Sequence, residues 1–261
     1  MFKTRALTAV AGIPLLLGIL YYGGVYWTAF FVVLGIISLY EFYRMISYKG
    51  HEPLIIPGYL LVLLLMFSGT YPSYATPVFY MLLSLVVIYF VLSYPRIPFA
   101  DVALSLLGSA YIGFLLSFAI RIKDLDQAFI VILLAFILTW SSDIGGYLFG
   151  TLWGKHKMTP LLSPGKTWEG ALGALLLTIG LLIAFSSIIE LEKINYAYLL
   201  VLGILASILA QFGDLFMSGV KRYCGVKDTG SIIPGHGGVL DRFDAFLLVV
   251  PLVYYFFQYV A

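Results

Sequence analysis

Nine stretches of the 261-residue chain are apolar for long enough to cross a bilayer as helices, and no other feature restricts the fold so severely. They run over roughly 6–22, 25–43, 54–70, 77–94, 98–120, 128–150, 169–190, 196–217 and 243–260. In hydrocarbon every backbone N–H and C=O must be paired within the protein, which leaves helices and closed barrels as the spanning structures. The long runs lack the period-two alternation of barrel strands. The expected fold is therefore an all-α polytopic membrane protein with about nine transmembrane helices. Pro57 interrupts the third stretch and small residues thin the fifth. Composition agrees: 11% of residues are charged and 62% are hydrophobic. A soluble domain carries about 25% charged residues, enough to coat a surface in water.

Other features narrow the function by exclusion. The net charge of +2 by itself points to no nucleic-acid partner, and none is expected. One cysteine, Cys224, rules out an intrachain disulfide framework or a cysteine-based zinc site, and it reads as an unremarkable loop thiol. The opening Met1-Phe2-Lys3-Thr4-Arg5 before an apolar run has the outline of a signal peptide. No small-residue cleavage site follows Tyr22, so the run reads as the first span.

Lys and Arg in alternate loops set the expected orientation. Lys3, Arg5, Arg44, Lys49, Arg96, Lys155, Lys157, Lys166, Lys221, Arg222, Lys227 and Arg242 fall on one side. Arg121, Lys123 and Lys193 fall on the other, so twelve of the fifteen basic residues share a side. The N-terminus is expected in the cytoplasm, as are the two longest hydrophilic connections, 151–168 and 218–242.

Carboxylates gather at that same edge. Asp143 lies near the cytoplasmic end of the sixth span and Asp214 near that of the eighth, while Asp241 and Asp244 open the ninth. An acid within a span is disfavoured by about 2.5–3.5 kcal/mol and usually lines a pathway or site. Asp241 and Asp244 are three apart and share a helix face. With Asp214 they offer hard oxygen ligands to Mg²⁺, which characteristically keeps phosphate oxygens in its shell. Helix capping and pairing with Arg222 or Arg242 compete with that reading. The surrounding Lys221, Arg222, Lys227, Arg242 and Lys166 tip it towards a metal–polyphosphate complex, in which metal and basic side chains share the phosphate charge. Asp143 is placed at the metal or just behind it.

Two loops could contact phosphate. Thr229-Gly-Ser-Ile-Ile-Pro-Gly-His236-Gly237-Gly238 combines glycines, which admit close backbone approach, with a histidine able to orient phosphate or move a proton. Ser163-Pro-Gly-Lys166-Thr167 ends like a P-loop but has Pro160 where the first glycine belongs. Ser163, Lys166 and Thr167 are its candidate phosphate or base donors, ahead of Glu169 in the first turn of the next helix.

From Ser218 to Asp244 the chain reads Ser-Gly-Val-Lys221-Arg222, four residues, Lys227-Asp228-Thr-Gly230, then Ile233-Pro-Gly-His236-Gly237-Gly238-Val-Leu-Asp241-Arg242-Phe-Asp244. This run resembles the signature of the phosphatidate cytidylyltransferases (CDP-diacylglycerol synthases). Ser141-Ser-Asp143 through Gly150 and Ser163 through Gly170 are similar to the same family. The resemblance implies transfer of the cytidylyl group of CTP to phosphatidic acid, giving CDP-diacylglycerol and pyrophosphate. It implies Mg²⁺ held by Asp214, Asp241 and Asp244, with K⁺ admitted to the same centre. Catalytic roles are expected for those acids with Lys221, Arg222 and His236. Substrate contacts are expected at Ser163, Lys166, Thr167, Lys227, Asp228, Gly237, Gly238 and Arg242. A homodimer in a prokaryotic plasma membrane, open to cytoplasm and bilayer, completes the expectation. The chain then divides into an N-terminal transmembrane region, 1–127, and a catalytic region, 128–261. A CTP-dependent polyprenol kinase and a cation-coupled transporter are the rivals. The long signature disfavours the first, and the absence of repeats and of mid-membrane acids disfavours the second.

Overall fold

The computed structural model describes residues 2–188 and 194–260. Lys193 and the end of the seventh expected span, 189–190, lie outside them. Among the described residues the chain forms nine α-helices. These are α1 (Phe2–Tyr22), α2 (Gly24–Tyr48), α3 (Ile55–Phe67), α4 (Pro72–Ser93), α5 (Phe99–Arg121), α6 (Ala128–Trp153), α7 (Trp168–Ile188), α8 (Tyr196–Cys224) and α9 (Leu240–Tyr259). Six are long and apolar enough to cross a membrane: α2, α4, α5, α6, α7 and α8. The apolar parts of α1, Val10–Tyr22, and of α3 are shorter. The thirteen residues of α3 rise only about 20 Å, against a hydrocarbon thickness of about 30 Å. An all-α membrane protein is thus observed, with length and composition supporting six of the nine expected crossings.

Two compact units divide the chain: Met1–Lys123 with Tyr223–Asp241, and Asp124–Arg222 with Arg242–Ala261. In the first, α2, α3 and α5 pack through small residues. Gly108 of α5 lies under the ring of Phe42, and Gly113 lies against the backbone of Val62. Helices in lipid gain most from close van der Waals approach, which small residues permit. These are the residues that weaken the fifth stretch as an apolar run. The indole of Trp27 donates to the Ala119 carbonyl at 2.8 Å, and the Tyr43 hydroxyl to the Ser105 carbonyl at 3.0 Å. Pro57 does not interrupt α3: it sits in the first turn, where a missing N–H costs nothing. Only Val86 of α4 is buried in this chain, so the helix presents nearly all its apolar surface outward.

In the second unit α6 and α7 pack closely. A side chain on Gly145 would stand 2.5 Å from the Gly173 carbonyl oxygen, and one on Gly170 would stand 2.8 Å from that of Gly146. The Ser141 hydroxyl donates to that of Thr178 at 3.2 Å. Phe136 of α6 stacks on Phe246 of α9, with ring centres 4.4 Å apart.

Three stretches differ from the expected loops. Within 151–168, α6 continues to Trp153, and an antiparallel hairpin follows, β1 (Lys157–Thr159) with β2 (Ser163–Thr167). The all-α description therefore has this one exception among the described residues. Pro164 fits in β2 because a two-stranded ribbon is all edge and can spare an N–H. Residues 218–224 are not loop but the last turns of α8, whose 29 residues rise about 43 Å. Lys221 and Arg222 accordingly stand on a helix end, and Cys224, also read as loop, is buried there. Asp241 and Arg242 belong to α9, so the irregular connection is 225–239.

Candidate active site

The connection 225–239 folds around a residue far away in the sequence. Glu41 is the one acidic residue of α2 and is 1% exposed. Its Oε1 accepts from the Val239 N–H at 2.9 Å, and its Oε2 from the Leu240 N–H at 2.8 Å and the Thr229 hydroxyl at 3.0 Å. Val239 and Leu240 lead into α9, so Glu41 takes up backbone donors that a helix start leaves unpaired. Two glycines of the connection make room for it. A side chain on Gly230 or on Gly238 would stand 2.5 Å from a Glu41 oxygen.

Asp241 closes the same loop from the other direction. Its Oδ2 accepts from the Thr229 N–H at 2.8 Å and the Gly238 N–H at 3.0 Å, and it lies 3.0 Å from the Thr229 hydroxyl, whose one proton is shared between Asp241 and Glu41. The loop tip reverses at 233–237, where the Ile233 N–H donates to the Gly237 carbonyl and the His236 N–H to that of Ile233. Gly235 and Gly237 take φ of 76° and 88° there, which other residues rarely adopt. His236 is half-buried in this turn, while Lys227 and Asp228 are exposed.

In the second unit, charged residues converge from four elements. Asp143 of α6 lies within electrostatic reach of Asp214, Lys166 and Arg242, and Asp244 of α9 within reach of Asp214, Lys221 and Asp143. Lys166 of β2 puts its Nζ 2.8 Å from Oδ2 of Asp214 and 3.3 Å from the Gln211 carbonyl oxygen, which it donates to. The Ser218 hydroxyl donates to the other Asp214 oxygen at 3.3 Å. Helices α8 and α9 approach closely here: a side chain on Gly213 would stand 2.6 Å from the Asp244 carbonyl oxygen. Asp244 is 7% exposed, and its Oδ1 accepts from the Ala245 N–H at 2.8 Å.

The hairpin holds the remaining candidates. Ser163 opens β2 opposite Thr159. Thr167 is buried, and its hydroxyl accepts from the Gly170 N–H at 3.1 Å, capping α7. Glu169 accepts from the backbone N–H groups of Lys155 and His156 and pairs with the His156 ring at 2.6 Å. Arg222 reaches from α8 to donate to the Leu162 carbonyl at 3.3 Å.

Asp143, Asp214, Asp244, Lys166, Lys221 and Arg242 are thus brought together in one unit. Asp241, His236, Lys227, Asp228, Gly237 and Gly238 are described in the other. No group of three or more His, Cys, Asp or Glu side chains among the described residues is gathered as a metal cage. The donor set nonetheless fits Mg²⁺, which commonly takes one or two carboxylates and completes its shell with water and substrate phosphates. Asp214 and the buried Asp244, on two tightly packed helices, are donors of that kind.

Sequence reasoning passed over Glu41. The signal was available: one acid in a long apolar run is a functional candidate on hydration grounds alone.

Residues 3–260 match the profile of the Cytidylyltransferase family. The phosphatidate cytidylyltransferase of Staphylococcus epidermidis is 38% identical over 258 residues, covering 96% of this chain and 97% of its own length. That of Staphylococcus haemolyticus is 38% identical over 260 residues, and that of Staphylococcus aureus 37% over 255, with the same coverage. A match over nearly the whole chain, together with these identities, makes it a member of the cytidylyltransferase family.

Proposed function

We propose that this cytidylyltransferase uses CTP and phosphatidic acid to make CDP-diacylglycerol and pyrophosphate for phospholipid synthesis. The family match and the near-full-length relatives named phosphatidate cytidylyltransferase support that reaction. The structural observation that carries it is the cluster of Asp143, Asp214 and Asp244 with Lys166, Lys221 and Arg242. Carboxylates alone would suit a cation path. Carboxylates interleaved with cations suit a metal-bound polyphosphate.

In the proposed reaction a phosphate oxygen of phosphatidic acid attacks the α-phosphorus of CTP. A new P–O bond forms there as the bond to the β-phosphate bridging oxygen breaks, and pyrophosphate leaves with that electron pair. Phosphoryl-group transfers of this kind need positioning and charge stabilisation more than covalent help. Asp214, Asp244 and Asp241 are the proposed Mg²⁺ ligands, with Asp143 as a further candidate; the ion would supply charge neutralisation at the reacting phosphates. K⁺ in the same centre belongs to this reading. Lys221, Arg222, Lys227 and Arg242 bind the two phosphate-bearing substrates, and His236 orients a phosphate. Lys166, Ser163 and Thr167 hold the CTP end, with Asp228, Gly237 and Gly238 lining the other loop.

Nine crossings, a cytoplasmic N-terminus and a cytoplasm-facing site in a prokaryotic plasma membrane are part of the proposal, on the distribution of basic residues. So is a homodimer.

The test is turnover in detergent micelles with phosphatidic acid, CTP labelled at the α-phosphate, and Mg²⁺ with or without chelator. Label in the lipid with matching pyrophosphate, lost under chelator, is the expected outcome. Label retained in soluble CDP, with phosphate passed to a polyprenol, would move the chain to the kinase class. No turnover in a folded sample supplied with K⁺ would return the transporter.

A further inference from the structure

We infer that Glu41 is a positioning residue for this reaction: its buried carboxyl fixes the 225–239 connection and the first turn of α9. The inference rests on the reading given under Proposed function. Three donors, from Thr229, Val239 and Leu240, converge on it within 3.0 Å. Both of its oxygens act as acceptors, and a carboxyl group is the side chain with two acceptor oxygens on one carbon. A glutamine of the same shape would turn an NH₂ towards one of those donors. An acid in a spanning helix is disfavoured unless something holds it, and a helix start, with its unpaired N–H groups and positive dipole end, does so. The connection is built to admit the carboxyl: Gly230 has no space for a side chain because Glu41 occupies it, and at Gly238 the Thr229 hydroxyl and Glu41 together do so.

The link to chemistry runs through Thr229. Its hydroxyl stands 3.0 Å from Glu41 Oε2 and 3.0 Å from Asp241 Oδ2, while its N–H donates to the same Asp241 oxygen. Glu41 therefore sets the place of the residue that holds Asp241. Groups that orient a metal ligand commonly change metal affinity or activity by about 10- to 100-fold when altered. Glu41 itself touches no reacting atom in this scheme.

Full-length wild type, Glu41→Gln, Thr229→Val and Thr229→Ser would be compared in detergent. Each would be read for kcat, for the Mg²⁺ concentration giving half activity, and for amide exchange at Val239 and Leu240 without substrate. Glu41→Gln is expected to lower kcat roughly 10- to 100-fold and to raise the Mg²⁺ requirement about tenfold. Faster exchange at the two amides should accompany it. Thr229→Val should share the Mg²⁺ shift, with Thr229→Ser restoring it. A Glu41→Gln protein with wild-type kcat, Mg²⁺ response and exchange overturns the inference. Should that variant fail to fold, the Thr229 pair decides, and Val behaving like Ser overturns it equally. An inactive wild type would instead count against the reaction, and the exchange rates would still judge the anchor.

Discussion

The ammonium group of Lys166 lies 2.8 Å from one carboxylate oxygen of Asp214, and both side chains are partly open to their surroundings. One comes from a hairpin strand and the other from α8, 48 positions on. A pair this exposed contributes little stability, about 0–1 kcal/mol. Its proposed value is chemical: the cation stands beside an acid proposed to hold Mg²⁺ and would be available to CTP phosphates. Lys166→Met is therefore expected to leave the melting temperature within a few degrees of wild type. It should raise KM for CTP at least about tenfold, since a charge-assisted contact to phosphate is worth about 1.5–3 kcal/mol. Equal loss of stability and activity would mean that the pair is only structural.

Gly213 governs how closely α8 meets α9. An added methyl group would stand 2.6 Å from the Asp244 carbonyl oxygen and 2.9 Å from the Ala245 Cα, against backbone that cannot swing aside. Overfilling a packed contact costs about 1–3 kcal/mol. Gly213→Ala should lower the melting temperature in detergent and weaken activity by separating Asp214 from Asp244. Gly180→Ala on α7, where no atom lies within 4 Å of the new methyl, is the control and should be as stable as wild type.

Much of the candidate site is legible in the sequence because its logic is local or compositional. Asp241 and Asp244 share a helix turn, and the spacing alone says so. Asp143, Asp214 and Lys166 were named because charge is scarce in this chain and therefore conspicuous. What pattern could not give was partnership across distance. The carboxyl of Glu41 meets Thr229 across 188 positions, and no periodicity relates them. The same gap explains the glycines. Gly230 and Gly238 look like a phosphate loop in sequence, yet the space they vacate is filled by Glu41 and, at Gly238, by the Thr229 hydroxyl as well. Local breaker rules also misled at Pro57, since a proline in a first turn starts a helix instead of ending it. The hairpin at 157–167 went unseen because its strands are three and five residues long, too short for alternation to register.

Asp101 holds a second buried junction in the first unit. It is 3% exposed in the first turn of α5, with Oδ1 2.6 Å from His51 Nδ1 and Oδ2 accepting from the Glu52 N–H at 3.1 Å. The other ring nitrogen of His51 lies 3.0 Å from the Tyr223 hydroxyl, and the two rings stack. Removing the acid strands two donors at once. Asp101→Ala should cost about 1–3 kcal/mol, seen as a lower melting temperature. Tyr223→Phe keeps the stacking and gives up one hydrogen bond, so its cost should be smaller, about 1 kcal/mol. Equal effects would show that the acid's two contacts carry no more than the phenol's one.

Orientation rests on the skewed distribution of lysine and arginine, and two exposed sites can test it. Leu161 at the hairpin tip is 96% exposed, and Asp126 is exposed in the connection between α5 and α6. By the proposed topology the first lies in the cytoplasm and the second on the far side. The native thiol, Cys224, is buried and can be replaced by serine to leave a silent background. With Leu161→Cys and Asp126→Cys introduced singly, a membrane-impermeant maleimide added to intact cells should label the Asp126 variant alone. After permeabilisation both should react. Labelling of the Leu161 variant in intact cells would put the hairpin, with Lys166 and its acidic partner, on the outer face. CTP is a cytoplasmic substrate, so that outcome would remove the proposed reaction along with the topology.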